Sequence, residues 1–192
     1  MPAPVSVPVL TDGVITLRPW APEDAGLLLE ASEDPAIQRY SMSRSQPFTA
    51  VEAQEQLRGG NAYQLTADVH DKPSGSLIIT DAATGLALGQ CGIDGWSPGD
   101  VAQIGYWLVP RARGRGIATR AVMRLTTWLF ALGARRVFLT VVDDNHASVA
   151  VAQRAGFHSE GPTGEQSIWS GHRHEVLSFA VAADDWERPG RR

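Results

Sequence analysis

Hydrophobic and polar positions along the N-terminal part of the chain predict a strand followed by two helices. The segment VITLRPW (14–20) has the composition of a first strand. Residues 22–34, which follow it, place hydrophobic side chains at helical spacing and acidic side chains in the first turn, and this favours a helix. Farther along, Thr49 and Glu52 have capping-box spacing, which predicts a second helix that ends at the glycine pair 59–60.

Three hydrophobic segments in the middle of the chain predict an antiparallel meander. They are SLIIT (76–80), LALGQCGI (86–93) and VAQIGYWLV (101–109), and each is either apolar or alternates apolar with polar residues. The connecting segments DAATG and DGWSPGD are rich in turn-forming residues. Because such short links join antiparallel neighbours, we expect the three strands to lie side by side.

Beyond the meander, the pattern predicts alternating helices and strands. Five hydrophobic residues recur at steps of four and three before Gly133 and predict a helix with one buried face: Ala118, Val122, Leu125, Leu129 and Leu132. The continuous apolar run 135–142 is typical of a central strand, and the helix predicted after it has Asn145 as N-cap and Gly156 just past its end. Strands joined by a crossover helix normally lie parallel, so we expect segments 101–109 and 135–142 to be parallel neighbours.

Length, charge and cysteine content narrow the class of protein. The 192 residues suit one domain, 1–192, with flexible tails expected at 1–10 and 187–192. A formal net charge of −4 provides no overall positive field for nucleic acid or an anionic membrane, so neither is expected as a partner. The single cysteine, Cys91, cannot form an internal disulfide or a cysteine zinc cluster, and no signal-peptide pattern is present, which favours a cytoplasmic location.

The turn RARGRG, which directly precedes the helix that begins near Ala118, predicts an anion site. A helix start has unpaired backbone N–H groups and about half a positive charge, and glycine allows an anion to approach that backbone closely. Three arginines could add positive charge there: Arg111, Arg113 and Arg115. The alternative is an ordinary glycine turn with solvated arginines. The spacing matches neither a Walker A motif nor a GxGxxG dinucleotide fingerprint.

The same turn resembles the pyrophosphate loop of the GNAT superfamily of N-acetyltransferases, because Arg111, Gly114 and Gly116 fill its three defining places. The segments IGYWLVP, NHASVAVAQRAGF and HEVLSFAVAADDW extend the resemblance to the subgroup of ribosomal-protein N-terminal acetyltransferases. The resemblance implies an α/β (α+β) fold with a mixed, mostly antiparallel central sheet and helices on both faces. It also implies that the sheet is splayed between the fourth and fifth predicted strands, with acetyl-CoA in the gap. No metal is expected, because His172 and His174 without a nearby cysteine make at most half a metal site.

The resemblance also assigns cofactor-binding residues. The pantetheine arm is expected to pair with the strand backbone at Trp107, Leu108 and Val109. The backbone amides expected to hold the pyrophosphate are those of Arg113, Gly114, Arg115, Gly116, Ile117 and Ala118. Asn145 and Ser148 match positions that face the thiol end, although each could instead serve only the helix N-terminus. Where many members have a catalytic tyrosine, this chain has Ala152, so Ser148 is the candidate to hydrogen-bond the sulfur.

The general base and the acceptor stay open at this stage. Subgroup members often have a glutamate where this chain has Gln103, which leaves as candidates Asp94, Glu175 and the neighbouring His172 and His174. Direct attack by an amine is expected, most plausibly the α-amine of a peptide N-terminus, since an amine with a pKa near 8 is roughly a tenth neutral at pH 7. Alternatives are a small-molecule amine acceptor, such as an antibiotic or a polyamine, and a CoA-binding module without catalysis. A homodimer is also left open.

Overall fold

The computed structural model describes residues 9–42, 46–58, 66–67, 73–97, 100–169 and 172–186. Most of the two predicted tails and the predicted helix end at 59–60 lie outside these residues. None of the described helices is long and apolar enough to cross a membrane.

The described strands form one mixed sheet, in which every neighbouring pair except one is antiparallel. The strands are β1 (Leu10–Thr11), β2 (Ile15–Arg18), β3 (Thr66–Ala67), β4 (Pro73–Asp81), β5 (Ala87–Ser97), β6 (Val101–Leu108), β7 (Arg136–Val142), β8 (His158–Trp169) and β9 (His172–Ala182). Their order across the sheet is β1-β2-β4-β5-β6-β7-β9-β8, with β3 paired to β4. The predicted meander is confirmed as β4, β5 and β6, and the predicted parallel pair is β6 with β7.

Helices cover both faces of this sheet. They are α1 (Ala25–Glu33), α2 (Pro35–Tyr40), α3 (Ala50–Arg58), α4 (Ile117–Ala131) and α5 (His146–Arg154). The capping box of α3 forms as predicted, since the Thr49 N–H donates to the Glu52 carboxylate at 2.8 Å and the Glu52 N–H donates to the Thr49 hydroxyl at 3.3 Å. The apolar spacing of α4 also holds for its first four predicted positions, which are buried. Leu132 is 46% exposed, because the helix ends there and Gly133 turns the chain away at φ +96°.

Four elements were not predicted from the sequence: the short strands β1 and β3, helix α2 and strand β8. A single residue, Asp34, separates α1 from α2, and its side chain caps α2 by accepting a hydrogen bond from the Ile37 N–H at 2.8 Å. Strand β8 pairs with β9 through two irregularities in register, and its polar residues hide the usual alternation. Helix α2 matters for function because its last residue, Tyr40, lines the cleft described next.

Candidate active site

A cleft opens in the sheet where β6 and β7 separate. Their parallel pairing covers residues 101–103 and 136–138, and beyond these residues the two strands diverge. Two cavities lie in the gap: a strand cavity of about 520 Å³ between the diverging strands, and a turn cavity of about 350 Å³ that reaches the turn 113–118. The two cavities form one continuous cleft, because they share the lining residues Tyr40, Ser41, Tyr106, Trp107, Asn145 and Ser148.

The turn at the start of α4 requires its glycines for conformational reasons. Gly114 and Gly116 both have φ +72°, in the left-handed region that other residues adopt at a cost. A Cβ atom built on either glycine would find no protein atom within 4 Å, so the space beside them is open. Both glycines line the turn cavity together with Ile117 and Ala118. The turn therefore offers a ligand direct access to the backbone.

Backbone amides at this turn are available to an anion. In the described part of the chain, the amides of residues 114–119 have no backbone hydrogen-bond acceptor. The first bond of the helix is donated by the Arg120 N–H to the Gly116 carbonyl at 3.1 Å. A helix N-terminus with unpaired amides carries about half a positive charge and binds phosphate well. The arrangement suits an anion such as phosphate, as the glycine-containing helix start predicted, and its assignment to a pyrophosphate stays a prediction.

The backbone of β6 presents alternate residues to the cleft. The Val109 N–H donates to the Leu88 carbonyl at 3.1 Å, so Val109 and, two residues before it, Trp107 direct their backbone toward β5. The backbone of Leu108 and Tyr106 faces the gap instead. The prediction that all of residues 107–109 pair with a cofactor is therefore corrected. Leu108 and Trp107 line the turn cavity, while Val109 does not and is fully buried.

At the junction of the two cavities lies the start of α5. The Asn145 side chain caps this helix by accepting a hydrogen bond from the Ser148 N–H at 3.2 Å. The cap involves only the backbone N–H of Ser148, and the side chain of this residue takes no part in it. Ser148 lines both cavities at their junction. Ala152, farther along the helix, is fully buried. This arrangement gives Asn145 the predicted structural role and places the Ser148 hydroxyl in the cleft beside Tyr106, with which it interacts.

Asp94 projects into the strand cavity from an irregularity in β5. The register of β5 with β6 shifts between Ile93 and Gly95, and Asp94 is the extra residue. Its carboxylate lies over Gly105 of β6, where a Cβ atom would approach one carboxylate oxygen to 3.1 Å. Asp94 retains exposure to the cleft, yet the surrounding protein raises the pKa of its carboxyl group by desolvation. A carboxylate with a raised pKa in a cleft is a candidate general base.

Other side chains in the strand cavity are also hydrogen-bond acceptors. Glu165 of β8 contributes a second carboxylate. The Oε1 atom of Gln90 is buried and has no hydrogen-bond partner among the described residues. No arginine, lysine or histidine is among the described residues that line this cavity. A cavity of this kind suits a ligand group that donates hydrogen bonds and carries positive charge, such as an amine.

Comparison with known proteins decides the family. Residues 15–158 match the family described as "Acetyltransferase (GNAT) domain". The chain belongs to the GNAT acetyltransferase family. It is an acetyl-CoA-dependent N-acetyltransferase, and the mixed sheet splayed between β6 and β7 is the fold that the sequence predicted for such an enzyme.

Individual relatives differ in the acceptors that their names give. YdaF of Bacillus subtilis (strain 168), named as a ribosomal N-acetyltransferase, is 33% identical over 87 residues, which cover 45% of this chain and 48% of YdaF. The structure of RimL, a ribosomal L7/L12 α-N-protein acetyltransferase in complex with coenzyme A, has a TM-score of 0.76 at 22% identity and covers 93% of this chain and 99% of RimL. The structure of spermidine N-acetyltransferase from Vibrio cholerae, in complex with CoA and spermine, has a TM-score of 0.73 at 18% identity. The match covers 91% of this chain and 98% of the spermidine enzyme.

Two arginines predicted at the GNAT pyrophosphate loop lie away from the turn cavity. Arg111 donates to the Glu30 carboxylate at 2.9 Å and to the Ala87 carbonyl at 2.8 Å, and these acceptors hold it on the outside of the loop. Arg115 is exposed and does not line the cavity. Arg113 does line it, while its Nε donates to the Leu108 carbonyl at 3.0 Å and its guanidinium pairs with Asp34 at 2.7 Å. Arg113 is therefore the loop arginine that lies beside the turn cavity.

Glu175 and its neighbours, predicted as further candidates for the base, lie apart from Asp94. Glu175 is exposed on β9 and lines neither cavity, because it faces outward in its pairing with Gln166 of β8. His172 is exposed on the same strand. His174 faces Asp143 at 3.3 Å and Asp144 at 3.4 Å, outside the lining of the cavities. Of the predicted base candidates, the structure brings only Asp94 into the strand cavity.

Asp143, Asp144 and His174 form a polar cluster at the edge of the cleft. One carboxylate oxygen of each aspartate and one ring nitrogen of His174 all lie within 4.8 Å of one another. The Arg39 guanidinium of α2 pairs with Asp144 and contacts His174 at 3.2 Å, and the Tyr40 hydroxyl donates to Asp144 at 3.0 Å. The cluster is therefore already partnered by a cation, and it ties α2 to the end of β7.

Replacing Arg113 by alanine is expected to weaken acetyl-CoA binding by about tenfold, since one charged hydrogen-bonding group near a phosphate is worth roughly 1.5 kcal/mol. The matched variant Arg111→Ala removes an arginine from the same turn, but one directed at Glu30, and is expected to leave the dissociation constant within about twofold. Isothermal titration calorimetry compares the two. Equal losses of affinity would contradict the different placement of these arginines.

Proposed function

We propose that this enzyme transfers the acetyl group of acetyl-CoA to the α-amine at the N-terminus of a peptide or protein. The observation that carries the proposal is the Asp94 carboxylate over Gly105, in a strand cavity whose described lining offers acceptors and no cationic side chain. An amine placed in this cavity has a proton acceptor beside it. The turn cavity, which adjoins the strand cavity at Ser148, supplies the cofactor site.

Direct attack of the amine on the thioester fits these residues. Asp94 accepts a proton from the attacking amine, and its raised pKa makes it a stronger base than an ordinary aspartate. The Leu108 and Tyr106 backbone faces the gap, where it can align the pantetheine arm as an added strand. Cys91 is fully buried in β5, and burial raises the pKa of its thiol, so it does not serve as a nucleophile.

An α-amine is favoured over a lysine side chain or a polyamine by its own chemistry and by the charges near the cleft. At pH 7 an α-amine with a pKa near 8 is roughly a tenth neutral, whereas an amine with a pKa near 10.4 is almost wholly charged. A single aspartate therefore suffices as the base for an α-amine. A polyamine would gain from several free carboxylates; Glu165 is one beside Asp94, whereas Asp144 is paired with Arg39. The names of YdaF and RimL, which give ribosomal or N-terminal acceptors, support the same choice.

A small cationic amine is the second candidate acceptor. The strand cavity contains two carboxylates, Asp94 and Glu165, and its described lining has no opposing cation. A structural neighbour is named as a spermidine N-acetyltransferase. Electrostatic attraction would draw such an amine into the cavity.

A panel of three acceptors separates these candidates by the rate of CoA release. The first is a peptide with a free N-terminus and no lysine, the second is the same peptide with its N-terminus blocked, and the third is spermidine. We expect turnover with the first and none with the second. Efficient turnover of spermidine without turnover of the free peptide would reject the α-amine and support the small-amine acceptor.

A further inference from the structure

The hydroxyl of Tyr106 is buried, and its oxygen interacts with the Ser148 hydroxyl, but its own proton is donated to no described residue. Tyr106 belongs to β6 and lines both cavities, at the junction where they meet. Buried hydroxyl groups are almost always hydrogen-bonded, because an unpaired one destabilises the folded protein. A buried hydroxyl whose own proton has no acceptor among the described residues, at the junction of two ligand cavities, indicates an acceptor that arrives with the ligand.

The surroundings of Tyr106 fix how this hydroxyl can act. Burial raises its pKa to about 12, and an interaction with the Ser148 hydroxyl opposes that change only in part. The group is therefore protonated at neutral pH and acts as a donor. Cys91, which lies opposite Tyr106 in the β5–β6 register, has a buried thiol that is itself only a weak acceptor.

We propose that Tyr106 is a catalytic residue that donates a hydrogen bond to the sulfur of CoA as the thioester bond breaks. The proposal rests on the proposed function, which places the thioester at the junction of the two cavities. The amine nitrogen forms a bond to the acetyl carbon, the carbon–sulfur bond breaks, and the sulfur keeps the electron pair. The proton lost by the amine goes to Asp94. The thiolate, held by Tyr106 and Ser148, then takes a proton from solvent, and Asp94 returns its proton to solvent, so that no net proton is gained or lost.

Helix α5 offers no alternative hydroxyl farther along. The position where many GNAT enzymes have a tyrosine is Ala152, which is fully buried in this chain. The junction therefore receives its hydroxyl groups from two elements, Ser148 of α5 and Tyr106 of β6. Two donors share the charge that develops on the sulfur, and neither has to give up its proton.

Thr126 of α4 provides a matched control for removing the Tyr106 hydroxyl. Its hydroxyl is likewise buried and has no hydrogen-bond partner among the described residues, and Thr126 lines neither cavity. Tyr106→Phe and Thr126→Val each remove one buried hydroxyl and keep the approximate shape of the side chain. Both variants are expected to unfold at the same temperature as the unaltered protein or at a higher one.

Two measurements test the proposal on these variants. The first is the pKa of the CoA thiol in its complex, followed by the ultraviolet absorption of the thiolate, which needs no acceptor. The second is the single-turnover rate of acetyl transfer. Tyr106→Phe is expected to raise the thiol pKa by about one unit and to lower the rate by about tenfold to a hundredfold. Thr126→Val is expected to change neither value.

The outcomes separate this proposal from the proposed function. If no acceptor is acetylated but Tyr106→Phe still raises the thiol pKa, the acceptor assignment fails and the tyrosine–sulfur contact stands. Ser148→Ala should produce a similar rise, because the two hydroxyl groups share the sulfur. An unchanged thiol pKa in Tyr106→Phe, with CoA bound as tightly as before, would overturn the proposal. A lower unfolding temperature without a change in either measurement would assign the hydroxyl a structural role only and would also overturn it.

Discussion

Asp94→Asn is expected to lower kcat/KM for the amine acceptor by about a hundredfold or more at pH 7. Loss of a positioned general base typically costs a factor of 10² to 10⁴. Asparagine keeps the size and polarity of the side chain, and it cannot accept a proton at neutral pH. In the unaltered enzyme kcat/KM should rise with pH through the raised pKa of Asp94, because the base must be ionised. That part of the pH profile should be absent from the variant.

Stability measurements separate this effect from misfolding. The folded-state pKa of Asp94 lies above the value of an unfolded aspartate, so the stabilisation that it contributes is complete below about pH 4 and is lost as the pH rises through the folded-state pKa. At pH 7 the ionised carboxylate destabilises the fold, and Asp94→Asn should unfold at the same or a higher temperature. Glu175→Gln, which neutralises an exposed carboxylate outside both cavities, is the matched control. An equal loss of activity in Glu175→Gln would contradict the assignment of Asp94.

Gly116→Val is expected to weaken acetyl-CoA binding by about tenfold to a hundredfold. The glycine has φ +72°, and a β-branched residue in this conformation costs roughly 1–3 kcal/mol of strain or moves the backbone amides that form the anion site. The new side chain would also occupy the open space beside the turn. Calorimetry with acetyl-CoA measures the change.

The opposite end of the same helix supplies the control for this variant. Gly133 follows α4, has φ +96°, and also has no protein atom within 4 Å of an added Cβ. Gly133→Val therefore introduces comparable backbone strain without approaching the cleft. It is expected to lose thermal stability and to keep its affinity for acetyl-CoA. An unchanged affinity in Gly116→Val would show that the turn is not the pyrophosphate site.

Features that depend on local sequence were predicted correctly. Thr49 and Glu52 form their capping box, and Asn145 caps α5. Each of these follows from the preferences of a few adjacent residues. The order of strands and helices along the chain also predicted that β6 and β7 are parallel neighbours. The resemblance to GNAT enzymes predicted that these two strands diverge.

Features that depend on contacts between distant segments could not be predicted. The direction of Arg111 is set by Glu30, 81 residues earlier in the chain. Asp94 was one of several base candidates, and its selection depends on a register shift in β5 and on the absence of a side chain at Gly105. Tyr106 was not singled out, because a tyrosine in a strand is usually part of the core and only its unpaired hydroxyl distinguishes it. The polar residues of β8 concealed the second carboxylate, Glu165.

The central claim is that the two joined cavities hold acetyl-CoA and a peptide N-terminus at the same time. A bisubstrate compound, in which the CoA sulfur is linked through an acetyl bridge to the N-terminal nitrogen of a lysine-free peptide, tests it in one binding measurement. We predict that it binds at least about a hundredfold more tightly than CoA alone, because linked groups that occupy adjoining sites gain from effective concentration. Binding no tighter than that of CoA, while the corresponding spermidine conjugate binds more tightly, would contradict the claim.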